Sequence, residues 1–231
     1  LTTAEVVAYD ELVSEAILAL IPAGAERIPV GRRAGGCRHH EARIHPTIVL
    51  RALEGKQVVR LKGGDPFIFG RGGEEAEELQ AARVPFEVVP GISAALGAAA
   101  RSGIPLTHRD CASSVTFATA HAAKEDDGGH PPDVPGDGTL VFYMGLGRIE
   151  ALCASLVAGG RASSTPAAVV SRATMADERV VVSTLEDIAA AVHDARVEAP
   201  ALLIVGEVVA RRVLSVDAPV QAHATKRATT G

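Results

Sequence analysis

Aromatic residues are scarce in this chain of 231 residues: they make up 3%, and there is no tryptophan. A core assembled on large rings is therefore excluded. With hydrophobic residues at 47%, the interior has to be built from Ala, Val, Leu and Ile. There are only 3 cysteines, Cys37, Cys111 and Cys153, far apart and without a Cys-x-x-Cys pair. That excludes a disulfide framework and fits reduced thiols in a cytoplasm. No stretch approaches the roughly 20 apolar residues needed to cross a bilayer, so the reading expects no membrane partner. Leu1-Thr2-Thr3-Ala4 shows no secretory leader. Positive charge is not in excess: the net charge is -5 and no basic face dominates, so no nucleic-acid partner is expected. No fixed-period repeat is present. The length allows one large or two small domains with a real core.

Alternating strand and helix signals fill the first half. Glu5–Tyr9 is apolar and ends at Asp10, and 14–21 (SEAILALI) is helical with Ser14 as an N-cap. Ile28–Val30 is a short strand. Residues 46–55 form a helix with Pro46 in its first turn and Gly55 at its end. The densest stretch is 58–75, VVRLKGGDPFIFGRGGEE. It reads as a strand, then a loop with Gly63, Gly64, Asp65 and Pro66, then a second glycine cluster opening a helix over 74–83. Ligands sit at the carboxyl ends of strands in open α/β sheets, and glycine lets them approach the backbone. Asp65 has two readings here, a turn cap or an acceptor for ribose hydroxyls or an amine. The pattern continues with a strand at 86–89 and a helix of small residues at 92–101. Ser93 and Ala94 stand where free backbone N–H groups can meet a ligand. This alternation implies parallel βαβ units.

A second set begins near Ala112. Strands are expected at 114–119, 139–143, 166–170, 179–183 and 200–206. Helices are expected at 148–158 and 185–195, the latter capped by Thr184. Residues 122–138 read as a Gly- and Pro-rich loop. Arg32, Arg33 and Arg38 fall in a glycine-rich loop that suits a ligand with several carboxylates, because guanidinium forks pair with carboxylates bidentately. Cys37, His39, His40 and His45 match no usual zinc spacing, so no metal is expected.

The blocks KGGDPFIFGRGGEE and VPGISAALGAAARSGIPLTHRD resemble the signature of the uroporphyrinogen-III C-methyltransferases, within the tetrapyrrole methylases. AEVVAYDELVS, LVFYMGL and APALLIVGEVV extend the likeness over most of residues 1–215. The resemblance implies two α/β domains with the active-site cleft between them: 1–110, 111–215 and a disordered tail at 216–231. It implies S-adenosyl-L-methionine as methyl donor, S-adenosyl-L-homocysteine as product, a tetrapyrrole as substrate and a homodimer. The family opens with an earlier strand and a Gly-x-Gly-Pro-Gly-Asp loop lining the cofactor pocket; this sequence contains neither.

Carried over position by position, the cofactor residues are Gly63, Gly64, Asp65, Ile68, Ser93, Ala94, Met144 and Ala173. Met144 at a strand end is otherwise core filler. Asp10 matches the family's proton acceptor. Arg32 stands where the family has a proton-donating Lys, but Arg stays protonated, which leaves charge stabilisation. Arg33, Arg71 and Arg109 are substrate anchors. The implied reaction is C-methylation of uroporphyrinogen III to precorrin-2, in sirohaem or cobalamin synthesis. The alternatives are another precorrin methyltransferase of the family, or a silent tetrapyrrole-binding module.

Overall fold

The computed structural model describes residues 1–30, 44–120, 134 and 137–214. The chain divides into two compact units, Leu1–Ser93 and Ala94–Gly231.

In the first unit, β1 (Val6–Tyr9), β2 (Glu26–Pro29) and β3 (Val58–Leu61) form a parallel sheet in the order β2-β1-β3. β1 is central, so its side chains are covered on both faces: Val6, Val7 and Ala8 are fully buried. Successive strand residues face opposite ways. Val7 accordingly packs with Val59, Leu61 and Ile21, while Ala8 packs with Val58, Ile44, Ile48 and Leu79. The connecting helices are α1 (Glu15–Leu18), α2 (Pro46–Leu53) and α3 (Gly72–Ala81).

Two expectations fail in this unit. The first helix is a single turn, and Ser14 makes no side-chain cap bond. Its Ile17 and Leu20 are exposed, so little burial holds a longer helix together. Residues 86–89 form no strand. Phe86, Val88 and Val89 are exposed, and no strand among the described residues pairs with them, so β-branched composition alone does not make a ladder there.

In the second unit, α4 (Ala94–Ser102) precedes a sheet of β4 (Val115–Thr119), β5 (Thr139–Tyr143), β6 (Pro166–Ser171), β7 (Arg179–Thr184) and β8 (Ala201–Val205). The order is β4-β5-β8-β6-β7. β4 and β5 are parallel, and the remaining pairs are antiparallel. The all-parallel pattern of the first sheet therefore does not extend to the second. β8 lies between β5 and β6 and runs against both, so β5 and β6 run the same way and their carboxyl ends share one edge. Helices α5 (Ile149–Ala158) and α6 (Ile188–Asp194) cover a core of Leu140, Phe142, Leu152, Leu156, Ile188, Leu203 and Val205. Thr184 is not the cap of α6. It ends β7, Asp187 N–H bonds to its carbonyl, and Asp187 takes the cap position.

Candidate cofactor and catalytic site

The loop after β3 is shaped by backbone contacts that leave no room for side chains. Gly64 has φ 81°, a conformation glycine adopts at no steric cost. A Cβ on Gly91 would lie 2.2 Å from the Gly64 carbonyl oxygen, so the 63–65 and 90–91 segments touch only because 91 is glycine. Asp65 joins them. Its Oδ1 accepts from Phe67 N at 2.9 Å, and its Oδ2 from Gly91 N at 3.0 Å. Asp65 thus acts as a turn-former and as a tie between two loops, and each oxygen keeps a lone pair for a further donor. Ile68 N bonds to Asp65 O at 3.3 Å, and Ile68 is half-buried in the same turn. Arg71 adopts φ 57° at the N-cap of α3, where it is exposed and pairs with Glu74 at 3.4 Å.

Asp10 follows β1. Its Oδ1 accepts from Arg60 Nη2 at 2.6 Å. The same guanidinium reaches Glu75 on α3, and Glu75 holds Lys62. Sequence reasoning did not single out Arg60, Lys62 or Glu75. The signal was present: a charge at 60 inside the apolar run VVRL has to be paired if it is buried.

Ser93 closes the first unit, and Ala94 opens the second as the first residue of α4. Ala95 N donates to the buried Tyr143 hydroxyl at 3.1 Å, which ties the start of α4 to the end of β5. Met144 comes next, with φ 54° and 52% exposure. It is not core filler, and a left-handed non-glycine residue at a strand end is strain of the kind that gathers at functional sites. At the end of β6, half-buried Ala173 lies between Arg172 (φ 50°) and Thr174 (φ 72°). Glu178 fixes this loop by accepting Thr174 N at 2.7 Å and pairing with Arg101 of α4 at 3.1 Å. The Arg172 side chain beside Asp177 holds that carboxyl below the usual carboxylate range. Ala94, Met144 and Ala173 therefore sit on one α4-bordered edge of the sheet. Arg109 is exposed, in the turn closed by an isolated bridge of His108 and Ala112.

Arg32, Arg33 and the Cys37, His39, His40 group lie outside the described residues. His45 is described, and its ring nitrogen accepts from Thr47 N at the start of α2. Among the described residues, no group of three or more His, Cys, Asp or Glu is placed to hold a metal ion. No described helix is long and apolar enough to cross a membrane.

A glycine-rich strand-end loop and a strand-end carboxylate in the first unit, and an α4 start beside strained strand ends in the second, are features that α/β proteins use for ligands. Residues 1–189 match the family model of the Tetrapyrrole (Corrin/Porphyrin) Methylases, and the chain belongs to that family. Among curated relatives, the siroheme synthase of Pseudomonas putida (strain W619) is 52% identical over 211 residues, covering 90% of this chain and 45% of that protein. The chain spans about half the length of the curated relatives it matches. Among solved structures, it is similar to uroporphyrin-III C-methyl transferase from Thermus thermophilus complexed with S-adenosyl homocysteine. That match has TM-score 0.71 and 39% identity, over 91% of this chain and 89% of the other. A cobalt precorrin-4 methyltransferase is also similar, with TM-score 0.75 and 28% identity over 90% and 86% of the two chains.

Proposed function

We propose that this chain is an S-adenosyl-L-methionine-dependent methyltransferase that C-methylates uroporphyrinogen III to precorrin-2 by way of precorrin-1, in sirohaem or cobalamin synthesis. We place it in the cytoplasm, as a homodimer. The reading rests on the likeness to the Thermus enzyme, which spans nine-tenths of both chains and whose structure carries S-adenosyl homocysteine.

The residues fit such a cofactor. The Gly64–Gly91 approach, which a side chain at 91 would prevent, brings two backbone segments together beside the end of β3. The Asp65 carboxylate keeps acceptor capacity beside it, suited to hydroxyls or an ammonium group. The first turn of α4 has N–H groups without intrahelical partners, of which that of Ala95 is taken by the Tyr143 hydroxyl. Gly63, Gly64, Asp65, Ile68, Ser93, Ala94, Met144 and Ala173 hold the cofactor in this reading. When bound, the cofactor supplies a methyl group already activated on a sulfonium. The protein's share of the work is alignment of acceptor carbon and donor. Asp10 takes the proton that the methylated ring must lose. Arg32, Arg33, Arg71 and Arg109 bind the substrate's carboxylates, and Arg32 offsets charge without donating a proton.

The test is anaerobic incubation with uroporphyrinogen III and methyl-labelled S-adenosylmethionine, read by mass spectrometry. The expected product gains two labelled methyl groups. Transfer only to a later precorrin moves the activity to another ring position. Tetrapyrrole binding without any transfer makes the chain a silent binding module. Asp10→Asn is expected to bind S-adenosylhomocysteine as the parent does and to methylate at least about tenfold more slowly, a modest demand on a general base. A parental rate removes Asp10 from the mechanism.

A further inference from the structure

Arg60 lies inside β3, directly opposite Ala8 of β1. Side chains two apart share a face, so Arg60 and Lys62 stand on the face that Ala8 and Asp10 occupy on the neighbouring strand. Ala8 is small enough to leave space for a guanidinium, and α3 brings Glu75 to it. A poorly hydrated charge is tolerated only when its donors are used. Arg60 spends Nη2 on Asp10 Oδ1 (2.6 Å), Nε on Glu75 Oε1 (3.2 Å) and Nη1 on the Leu61 carbonyl (2.9 Å). The second Glu75 oxygen accepts from Lys62 Nζ at 2.9 Å.

The signs alternate along Lys62, Glu75, Arg60 and Asp10, and exposure rises in that direction. The side chains are 7% exposed at Lys62, 13% at Glu75, 17% at Arg60 and 25% at Asp10. The anchored end is inside and the carboxylate is the end that meets solvent. Other charged groups around β1 are engaged elsewhere. Glu26 of β2 pairs with Arg51, Arg27 donates to the Ile21 carbonyl, and Glu78 of α3 accepts from Ile44 N. Glu11 follows Asp10 in the chain, and Glu5 precedes β1 and accepts from Gln57 N. Among the described residues, Arg60 is the cation bonded to Asp10.

We propose that Arg60, anchored through Glu75 and Lys62, is a positioning residue that orients the Asp10 carboxylate for proton removal from the methylated tetrapyrrole. This deepens the reading of Asp10 as the base and rests on it. Arg60 occupies Oδ1 and leaves Oδ2 to take the proton. The bond to that proton breaks, its electron pair enters the ring system and cancels the positive charge left by methyl transfer, and Oδ2–H forms. Arginine suits the task because it stays charged and its fork is rigid.

The experiment measures kcat and KM for the parent, Arg60→Leu, Arg60→Lys, Glu75→Gln and Asp10→Asn, with S-adenosylhomocysteine affinity as a check on folding. Arg60→Leu is expected to lower kcat at least tenfold, with KM and cofactor affinity within about twofold. Glu75→Gln loosens the anchor of Arg60 and is expected to lower kcat in the same way by a smaller factor. Arg60→Lys, the variant least disturbing to the fold, recovers part of the loss. In the Asp10→Asn background, Arg60→Leu is expected to cost no further kcat, because no carboxylate is left to orient. A purely structural network would lower cofactor affinity along with kcat, or would lower kcat by the same factor in Asp10→Asn as in the parent, and either result overturns the proposal. A parent that transfers no methyl group, or an Asp10→Asn variant at the parental rate, sinks the underlying function instead and is seen in different samples.

Discussion

The two units equip their sheet edges in different ways. At the ends of β1 and β3, the first unit places charged side chains in a connected series from Lys62 to Asp10. At the ends of β5 and β6, the second unit places backbone in unusual conformations, with Met144, Arg172 and Thr174 all left-handed. The sheets behind these edges differ as well. β3 is only half-buried along its length, whereas every residue of β5 is buried. In the three-stranded sheet the poorly hydrated charges are tolerated because each is paired with its neighbour. A five-stranded sheet with a continuous aliphatic core can hold several strained residues, because surrounding packing over-determines them. On the proposed function, side chains supply the chemistry in the first case, and strand-end backbone the contact surface in the second.

The sharpest test of this contrast is core truncation. Phe142 is fully buried in the centre of the second core. Phe142→Ala is expected to cost about 3–5 kcal/mol, since a large cavity is left in a site with little freedom to collapse. Val7→Ala, equally buried in the first unit, is expected to cost about 1.5 kcal/mol at roughly 0.8 kcal/mol per methylene. Equal losses in denaturant unfolding would break the claim that the second core carries the greater packing.

The next effect concerns the glycine loop. Asp65→Ala removes both acceptors that tie Phe67 and Gly91, and each lost partner leaves a backbone N–H to find water. The expected outcome is a weakening of S-adenosylhomocysteine binding by tenfold or more in calorimetric titration, with the melting temperature lowered by a few degrees. Asp65→Asn separates the two parts. It keeps an Oδ1 acceptor for the Phe67 turn but offers an amide in place of the second oxygen, so it is expected to be the more stable variant and still the weaker binder. An unchanged dissociation constant in both variants would reduce Asp65 to a turn residue.

Much of this arrangement is legible in the residues. Glycine spacing located the β3 loop, since only glycine permits the approach of 91 to 64, and apolar runs located the strands of the two sheets except β2, which was read at 28–30 and runs Glu26–Pro29. What was not legible depended on partners distant in sequence. Residues 86–89 have strand composition but pair with no strand among the described residues, and composition cannot report a missing neighbour. The direction of β6–β8 is a tertiary choice that alternating signals cannot reveal. Asp10 and Asp65 were picked out as single carboxylates, but their partners lie 50 and 26 residues away. The charge at Arg60 passed as part of an apolar run, and its connection to Asp10 required the register that sets it opposite Ala8.

The smallest expected effect bears on the second unit's side of the contrast. Met144 at φ 54° combines a strained backbone with an exposed thioether, and the two can be pulled apart by substitution. Met144→Gly removes the side chain and the left-handed penalty together. Met144→Ala removes the side chain but keeps the penalty. Left-handed strain in a non-glycine residue is worth on the order of 1 kcal/mol or more, partly offset by the extra freedom glycine has in the unfolded chain. The glycine variant is therefore expected to melt no lower than the parent, and about 1–3 °C above the alanine variant, given the few degrees that 1 kcal/mol represents for a chain of this size. If the thioether contacts the cofactor, both variants weaken S-adenosylhomocysteine binding by the same several-fold factor. If the backbone conformation makes the contact, both bind as the parent does, since both keep the shape. Equal melting temperatures for glycine and alanine would remove the strain from the argument and leave the second unit's edge with no distinctive backbone at β5.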